Sequence, residues 1–199
     1  LPAWSYRSSS MLDLEKNRVF LNHWHVVGHV NDLQKPGDWL SFDLLGERAM
    51  VIRGKDGVIR AFHNTCRHRG SRLVEGEQGH CRGAVMCPFH AWVYTLEGEL
   101  KTPSQPDKFP KLDTSEYGLQ ALELETWRGF LFLRFESGPQ PSIATMMKRH
   151  EQELSAYPLE DLQPTDGLYS SPVVPVNWKA MVDVDNECYH CPSAHPGLT

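Results

Sequence analysis

Cysteine is scarce in this 199-residue chain, with five in all, and the five fall into no regular framework. That excludes a disulfide-stapled secreted scaffold and points to a reducing cytoplasm. No apolar run is long enough to span a bilayer, so a membrane protein is not expected. Leu1-Pro2-Ala3-Trp4 offers neither a basic n-region nor an apolar h-region, and no signal peptide is expected there. A basic excess is also missing. The 20 Lys and Arg against 25 Asp and Glu give a formal net charge of −5, and the basic residues are not interleaved with aromatics, which argues against nucleic acid as a partner. Internal repeats and low-complexity tracts are absent. An initiator Met is lacking and the chain stops abruptly at Leu198-Thr199, so a fragment of a longer protein is expected.

What is present suits a globular chain, since 40% hydrophobic and 23% charged residues are ordinary values for one. Apolar Met11, Leu12, Leu14, Val19 and Phe20 predict a short amphipathic helix within Met11 to His23, docked on the core. The pattern then turns to short β-rich runs at Trp24 to Val30, Trp39 to Leu45, Ala49 to Arg53 and Val58 to Phe62. Lys35-Pro36-Gly37-Asp38 and Lys55-Asp56-Gly57 separate them as turns. A hairpin is expected around Glu97-Gly98, with further strands at Leu119 to Glu125 and Phe130 to Phe135. Gly138-Pro139-Gln140-Pro141-Ser142 reads as an exit linker, and Ser142 as the N-cap of a helix to Tyr157. The division this suggests is a lead-in segment over 1–37, an all-β module over 38–137, and a linker with the opening of a second domain over 138–199.

Two short segments carry the chemistry: Cys66-Arg67-His68-Arg69-Gly70 and Cys87-Pro88-Phe89-His90-Ala91-Trp92. Each supplies one thiolate and one imidazole, and the stretch between them can fold back to bring the two together. Two Cys and two His suit tetrahedral zinc. They equally suit a Rieske [2Fe–2S] cluster, in which Cys₂ holds one iron and His₂ the other. The spacing favours the cluster, because zinc fingers usually pair Cys with Cys and His with His, whereas here each loop mixes the two. Cys81 lies between the loops at neither spacing and reads as a structural thiol. Trp92 reads equally as a core aromatic or as a cover for the cluster.

Further on, Asn177 to His195 holds Asp183, Asp185, Glu187, His190 and His195. Two imidazoles and a carboxylate form the facial triad of Fe(II) oxygenases, which leaves positions open for O₂ and substrate. Residues five apart sit about 140° apart on a straight helix. His190 and His195 therefore reach one iron only if Pro192 breaks the helix between them. Zinc held by Cys188, Cys191 and one His is the competing reading of this segment.

With these residues on the page, the chain resembles the Rieske non-haem iron oxygenases, specifically the α (oxygenase) component of the ring-hydroxylating type. The resemblance runs from Leu14-Glu15-Lys16 and Trp24-His25-Val26-Val27 through both Cys/His loops to Asn177-Trp178-Lys179 and Glu187 to Pro196. It implies an α+β chain: an N-terminal all-β Rieske domain, then the start of a helix-grip catalytic domain. It implies that Cys66, His68, Cys87 and His90 hold a [2Fe–2S] cluster and that His190 and His195 hold a mononuclear Fe(II). A third, carboxylate ligand would lie beyond Thr199. Glu187 falls where the family carries a carboxylate bridging the cluster of one subunit and the iron of its neighbour. Asp183 would lie outside the ligand set and Asp185 in solvent. Glu187-Cys188-Tyr189-His190-Cys191 looks more like the branch acting on betaines, stachydrine or carnitine than like the aromatic-ring enzymes. O₂ as co-substrate, NAD(P)H through a separate flavin-containing reductase, possibly with a ferredoxin, and a homotrimer or a multiple of it are implied in turn. Oxygenation or demethylation of a small aromatic compound or quaternary amine is the activity expected. A Rieske electron carrier without oxygenase activity and a zinc-binding structural module are the alternatives.

Overall fold

In the computed structural model of the chain, which describes residues 1–164, 174–187, 191 and 197, backbone contacts separate two units. The larger is Arg18–Pro164; the other joins Leu1–Asn17 to Thr165–Thr199.

The larger unit is built on ten strands. These are β1 (His25–His29), β2 (Asp38–Leu44), β3 (Glu47–Arg53), β4 (Ile59–His63), β5 (Gln78–His80), β6 (Val85–Met86), β7 (Val93–Tyr94), β8 (Leu100–Thr102), β9 (Ala121–Trp127) and β10 (Phe130–Arg134). Seven form one antiparallel sheet in the order β1-β10-β9-β4-β3-β2-β5, and β6-β7-β8 form a second. The run Ala49-Met50-Val51-Ile52 in β3 explains how the layers are glued. All four residues are fully buried, because successive side chains point to opposite faces and both faces are covered. Met50 and Ile52 enter a core with Trp39, Phe62, Val85, Trp92, Tyr94, Leu96 and Leu100, beneath the small sheet. Ala49 and Val51 enter another with Leu33, Leu40, Leu122, Leu131 and Leu133. Cys66 and Cys87 belong to the first core and are each 2% exposed, so the metal-ligand loops are rooted in apolar packing.

The expected strands are present with shifted ends, and the hairpin turns at Glu97-Gly98, where the Gly98 N–H donates to the Thr95 carbonyl. Ser142 is the N-cap of helix Ile143–Met147, its Oγ accepting from the Thr145 N–H at 3.2 Å. The helix expected to reach Tyr157 is instead interrupted: a 3₁₀ turn, Lys148–His150, precedes a second piece, Glu151–Leu154. Arg128, in the β9–β10 turn, holds the segment that follows. Its guanidinium donates to the carbonyls of Leu154 (2.6 Å) and Tyr157 (2.8 Å) and pairs with Glu160 at 2.7 Å. The Arg128 side chain pulls the Glu160 carboxyl down to about 2.

In the smaller unit the first helix is shorter than expected, Ser9–Glu15 followed by a π turn over Lys16–Phe20. Leu12, Leu14 and Val19 of its apolar stripe are exposed. The side that packs carries Glu15 instead. Glu15 is 4% exposed and accepts from Lys179 Nζ at 2.7 Å and from Trp178 Nε1 at 2.9 Å, both on helix Trp178–Asp185. Removing either member of the Glu15–Lys179 pair would strand a buried charge. Asn177 caps that helix, its Oδ1 accepting from the Lys179 N–H at 3.0 Å.

Candidate metal centre

The two ligand loops are closed by the same pair of backbone hydrogen bonds. In the first, the Cys66 N–H donates to Ser71 O (2.8 Å) and the Gly70 N–H to Cys66 O (3.0 Å). In the second, the Cys87 N–H donates to Trp92 O (2.8 Å) and the Ala91 N–H to Cys87 O (3.0 Å). The residue four after each cysteine turns left-handed to allow this, at φ +70° for Gly70 and +53° for Ala91. Glycine takes that conformation freely, whereas alanine pays roughly 1 kcal/mol. Ala91→Gly is therefore expected to leave the folded chain about as stable as wild type or slightly more so, and Ala91→Val to destabilise it by over about 1 kcal/mol; thermal melts of the two variants check this.

Closed in this way, the loops place like donors beside like. The Cys66 and Cys87 sulfurs interact directly, and the His68 and His90 rings meet edge to face, with centroids 4.7 Å apart and planes at 70°. Burial would raise the Cys87 thiol, but the backbone N–H groups of His90 and Phe89, with the Cys66 and Ser71 side chains, overcome it and hold Cys87 below its ordinary value. Cys66 is pushed up, chiefly by burial, against the Tyr94 hydroxyl. Burial, then His90 and Arg69, lower His68 and favour its neutral, ligand-competent form.

Tyr94 was not legible as part of the site. Its Oη lies 3.2 Å from Cys66 Sγ and accepts from the Arg67 N–H at 3.0 Å. Burial and the adjacent sulfur push the phenol well above its usual value, so it stays protonated and can donate to a thiolate at Cys66. A donor at a ligating sulfur stabilises the electron-richer, reduced state. Tyr94→Phe should lower the potential of a cluster at these ligands by on the order of 50 mV, the one-electron equivalent of one hydrogen bond to a charged acceptor; protein-film voltammetry would read it.

Trp92 is a core aromatic, as one of its two readings had it, and it also stacks on a candidate ligand. It is 2% exposed in the core and lies parallel to His68, with an interplanar angle of 5° and centroids 4.9 Å apart. Phe109 and Tyr117 pack edge-on against its other sides. Phe89, 3.9 Å from the His90 ring, is 63% exposed, so the His90 edge lies nearer solvent.

The donor set fits a Rieske cluster. Paired sulfurs backed by N–H groups suit one iron, and two adjacent imidazoles suit the other. Tetrahedral zinc needs four donors converging on one point. Among the described residues no three or more His, Cys, Asp or Glu side chains converge in that way. Cys81 lies apart from both pairs, half-buried against the same core, with burial raising its thiol.

Of the second predicted site, His190, His195 and Cys188 lie outside the described residues. Asp183 accepts from the Tyr6 hydroxyl at 2.6 Å, within the smaller unit. Asp185 and Glu187 are exposed, and the Glu187 N–H donates to Val184 O at the helix end. Among the described residues, no helix is long and apolar enough to cross a membrane.

Comparison with known proteins bears on both halves. Residues 23–120 match the Rieske [2Fe-2S] domain, and residues 145–199 match the ring hydroxylating alpha subunit (catalytic domain). The chain is 34% identical over 200 residues to the carnitine monooxygenase oxygenase subunit of Acinetobacter baumannii, covering 99% of this chain and 53% of that protein. It is 30% identical over 198 residues to the glycine betaine monooxygenase oxygenase subunit of Pseudomonas aeruginosa, covering 100% of this chain and 45% of that one. The crystal structure of the quaternary ammonium Rieske monooxygenase CntA in complex with L-carnitine superimposes with a TM-score of 0.84 at 32% identity, over 99% of this chain and 55% of that chain. This chain thus spans about half the length of the curated relatives it matches.

Proposed function

Given that this chain belongs to the Rieske non-haem iron oxygenases, as the α (oxygenase) component of the ring-hydroxylating type, we propose that its full-length protein oxygenates a small quaternary amine. The observation that carries the redox half is the pairing of the Cys66 and Cys87 sulfurs together with the contact of the His68 and His90 rings. What favours a quaternary amine over an aromatic ring is that carnitine and glycine betaine name the relatives matched over nearly the whole chain.

Cys66 and Cys87 would hold one iron of the cluster, and His68 and His90 the other. His190 and His195, with a carboxylate, would hold the mononuclear iron. When bound, the cluster supplies one electron at a time at a potential raised by its imidazole ligands, and the mononuclear Fe(II) supplies O₂ activation. The apolar core around Cys66 and Cys87 keeps water from the sulfurs, Tyr94 holds a proton at Cys66 Sγ, and Trp92 fixes the plane of His68. Glu187, exposed and three residues before His190, would accept a hydrogen bond from an imidazole of a neighbouring subunit and so join the two centres in a trimer. In this reading, residues 38–137 are the cluster domain, 1–37 its lead-in, and 138–199 the linker and opening of the catalytic domain. Electrons come from NAD(P)H through a separate flavin reductase, and hydroxylation of one C–H bond takes O₂, two electrons and two protons and releases water.

The test is turnover by the full-length holoprotein with a reductase and NADH, comparing trimethylammonium compounds with benzoate-like acids. Consumption of a quaternary amine coupled to O₂ uptake is expected. Formation of an aromatic diol while quaternary amines remain untouched would overturn the substrate assignment.

A further inference from the structure

The two ligand loops share their closing hydrogen bonds but not their foundations. The second rises from a hairpin in which β6 and β7 pair Val85 with Tyr94 and Met86 with Val93, so a ladder fixes both of its ends. The first has no such ladder. β4 ends at His63, and no strand occurs before β5 begins at Gln78. In the gap stands Asn64, a polar residue with 0% exposure in a cluster-bearing core. Its Oδ1 accepts from the N–H groups of Leu73 and Val74, both at 3.0 Å, and its Nδ2 donates to Val74 O at 2.8 Å. Its own N–H donates to Arg48 O at 2.9 Å and ties it to β3. One side-chain amide thus gives Val74 both an acceptor and a donor, as an opposing strand residue would. Cys66 and His68 lie on the segment this clasp closes.

We infer that Asn64 is a positioning residue for the metal centre: its buried amide replaces the strand that the first ligand loop lacks and sets where Cys66 and His68 stand relative to Cys87 and His90. This rests on the Rieske reading of the four ligands. Asparagine suits the task because its side chain carries both donor and acceptor in one plane, matching the two sides of a backbone amide. Leucine fills the same volume and offers neither, which would leave three buried backbone groups without partners.

The test uses full-length, cluster-loaded protein and the variants N64D and N64L, with Leu131→Ala as a control. Leu131 is fully buried in the other core, so its truncation lowers stability without touching the ligand loops. Three quantities are read beside the melting temperature: the g-values of the reduced cluster, its reduction potential, and the rate at which a chelator strips its iron. N64L should lose iron on the order of tenfold faster than wild type with shifted g-values and potential. N64D, which keeps both acceptor contacts and loses the donor, should fall between. Leu131→Ala should melt lower with wild-type g-values and potential. If N64L does not accumulate as folded protein, N64D decides. Wild-type g-values, potential and iron loss in the Asn64 variants, whatever their melting temperature, would overturn the inference. A wild-type chain that takes up no [2Fe–2S] cluster would instead remove the Rieske reading beneath it.

Discussion

Replacing Cys87 by Ser is expected to give a colourless chain that keeps less than about a tenth of the visible absorbance and acid-labile sulfide of the wild type. Cys87 is 2% exposed, and backbone N–H groups of two neighbours act on its sulfur, so the site favours a buried thiolate. A serine oxygen there is a poor ligand for iron and leaves Cys66 without its partner. Cys66→Ser should behave alike. Replacing His68 by Cys makes the contrast: thiolate for imidazole keeps a cluster but adds negative charge and favours the oxidised state, so the potential should fall. Iron and sulfide analysis with visible absorption reads all three variants. Stoichiometric zinc in a colourless wild type would sink the cluster assignment.

Glu187→Ala, in the full-length enzyme, is expected to leave the cluster spectrum and the mononuclear iron content unchanged while slowing reoxidation of the reduced cluster by on the order of a hundredfold with substrate and O₂ present. The carboxylate is exposed on this chain, where an imidazole across a subunit contact would reach it. Glu187→Asp keeps the charge with a shorter reach and should retain part of the rate. Single-turnover stopped-flow measurement decides it. Reoxidation at the wild-type rate in the Ala variant would return Glu187 to the status of a solvated surface residue.

The parts of the fold legible in the sequence were those with strong local signals. Ala49 to Ile52 is a continuous apolar run between turns, and β3 lies there; Ser142 after the Gly/Pro-rich linker marks a helix start. β5 and β6 escaped notice for a physical reason. Gln78-Gly79-His80 has no apolar alternation, and Val85-Met86 is too short to show a period, so their pairing with β2 and β7 depends on partners far along the chain. The first helix shows a different limit. Its apolar stripe was visible, but the buried side was decided by an ion pair between Glu15 and Lys179, separated by 164 positions. At the metal centre the four candidate ligands could be picked out from the paired Cys/His spacing. Tyr94 and Asn64 were not, because a tyrosine or asparagine acquires such a role only when the fold brings a sulfur or a bare backbone segment to it.

β3 also has a consequence for how Arg18–Pro164 comes apart. A single strand forms the shared wall of two apolar interiors, so neither interior can melt while the other stays intact. Heat applied to the cluster-free protein should therefore release both in one cooperative transition, and occupancy of the metal ligands should raise the stability of distant β10 as much as that of the loops themselves.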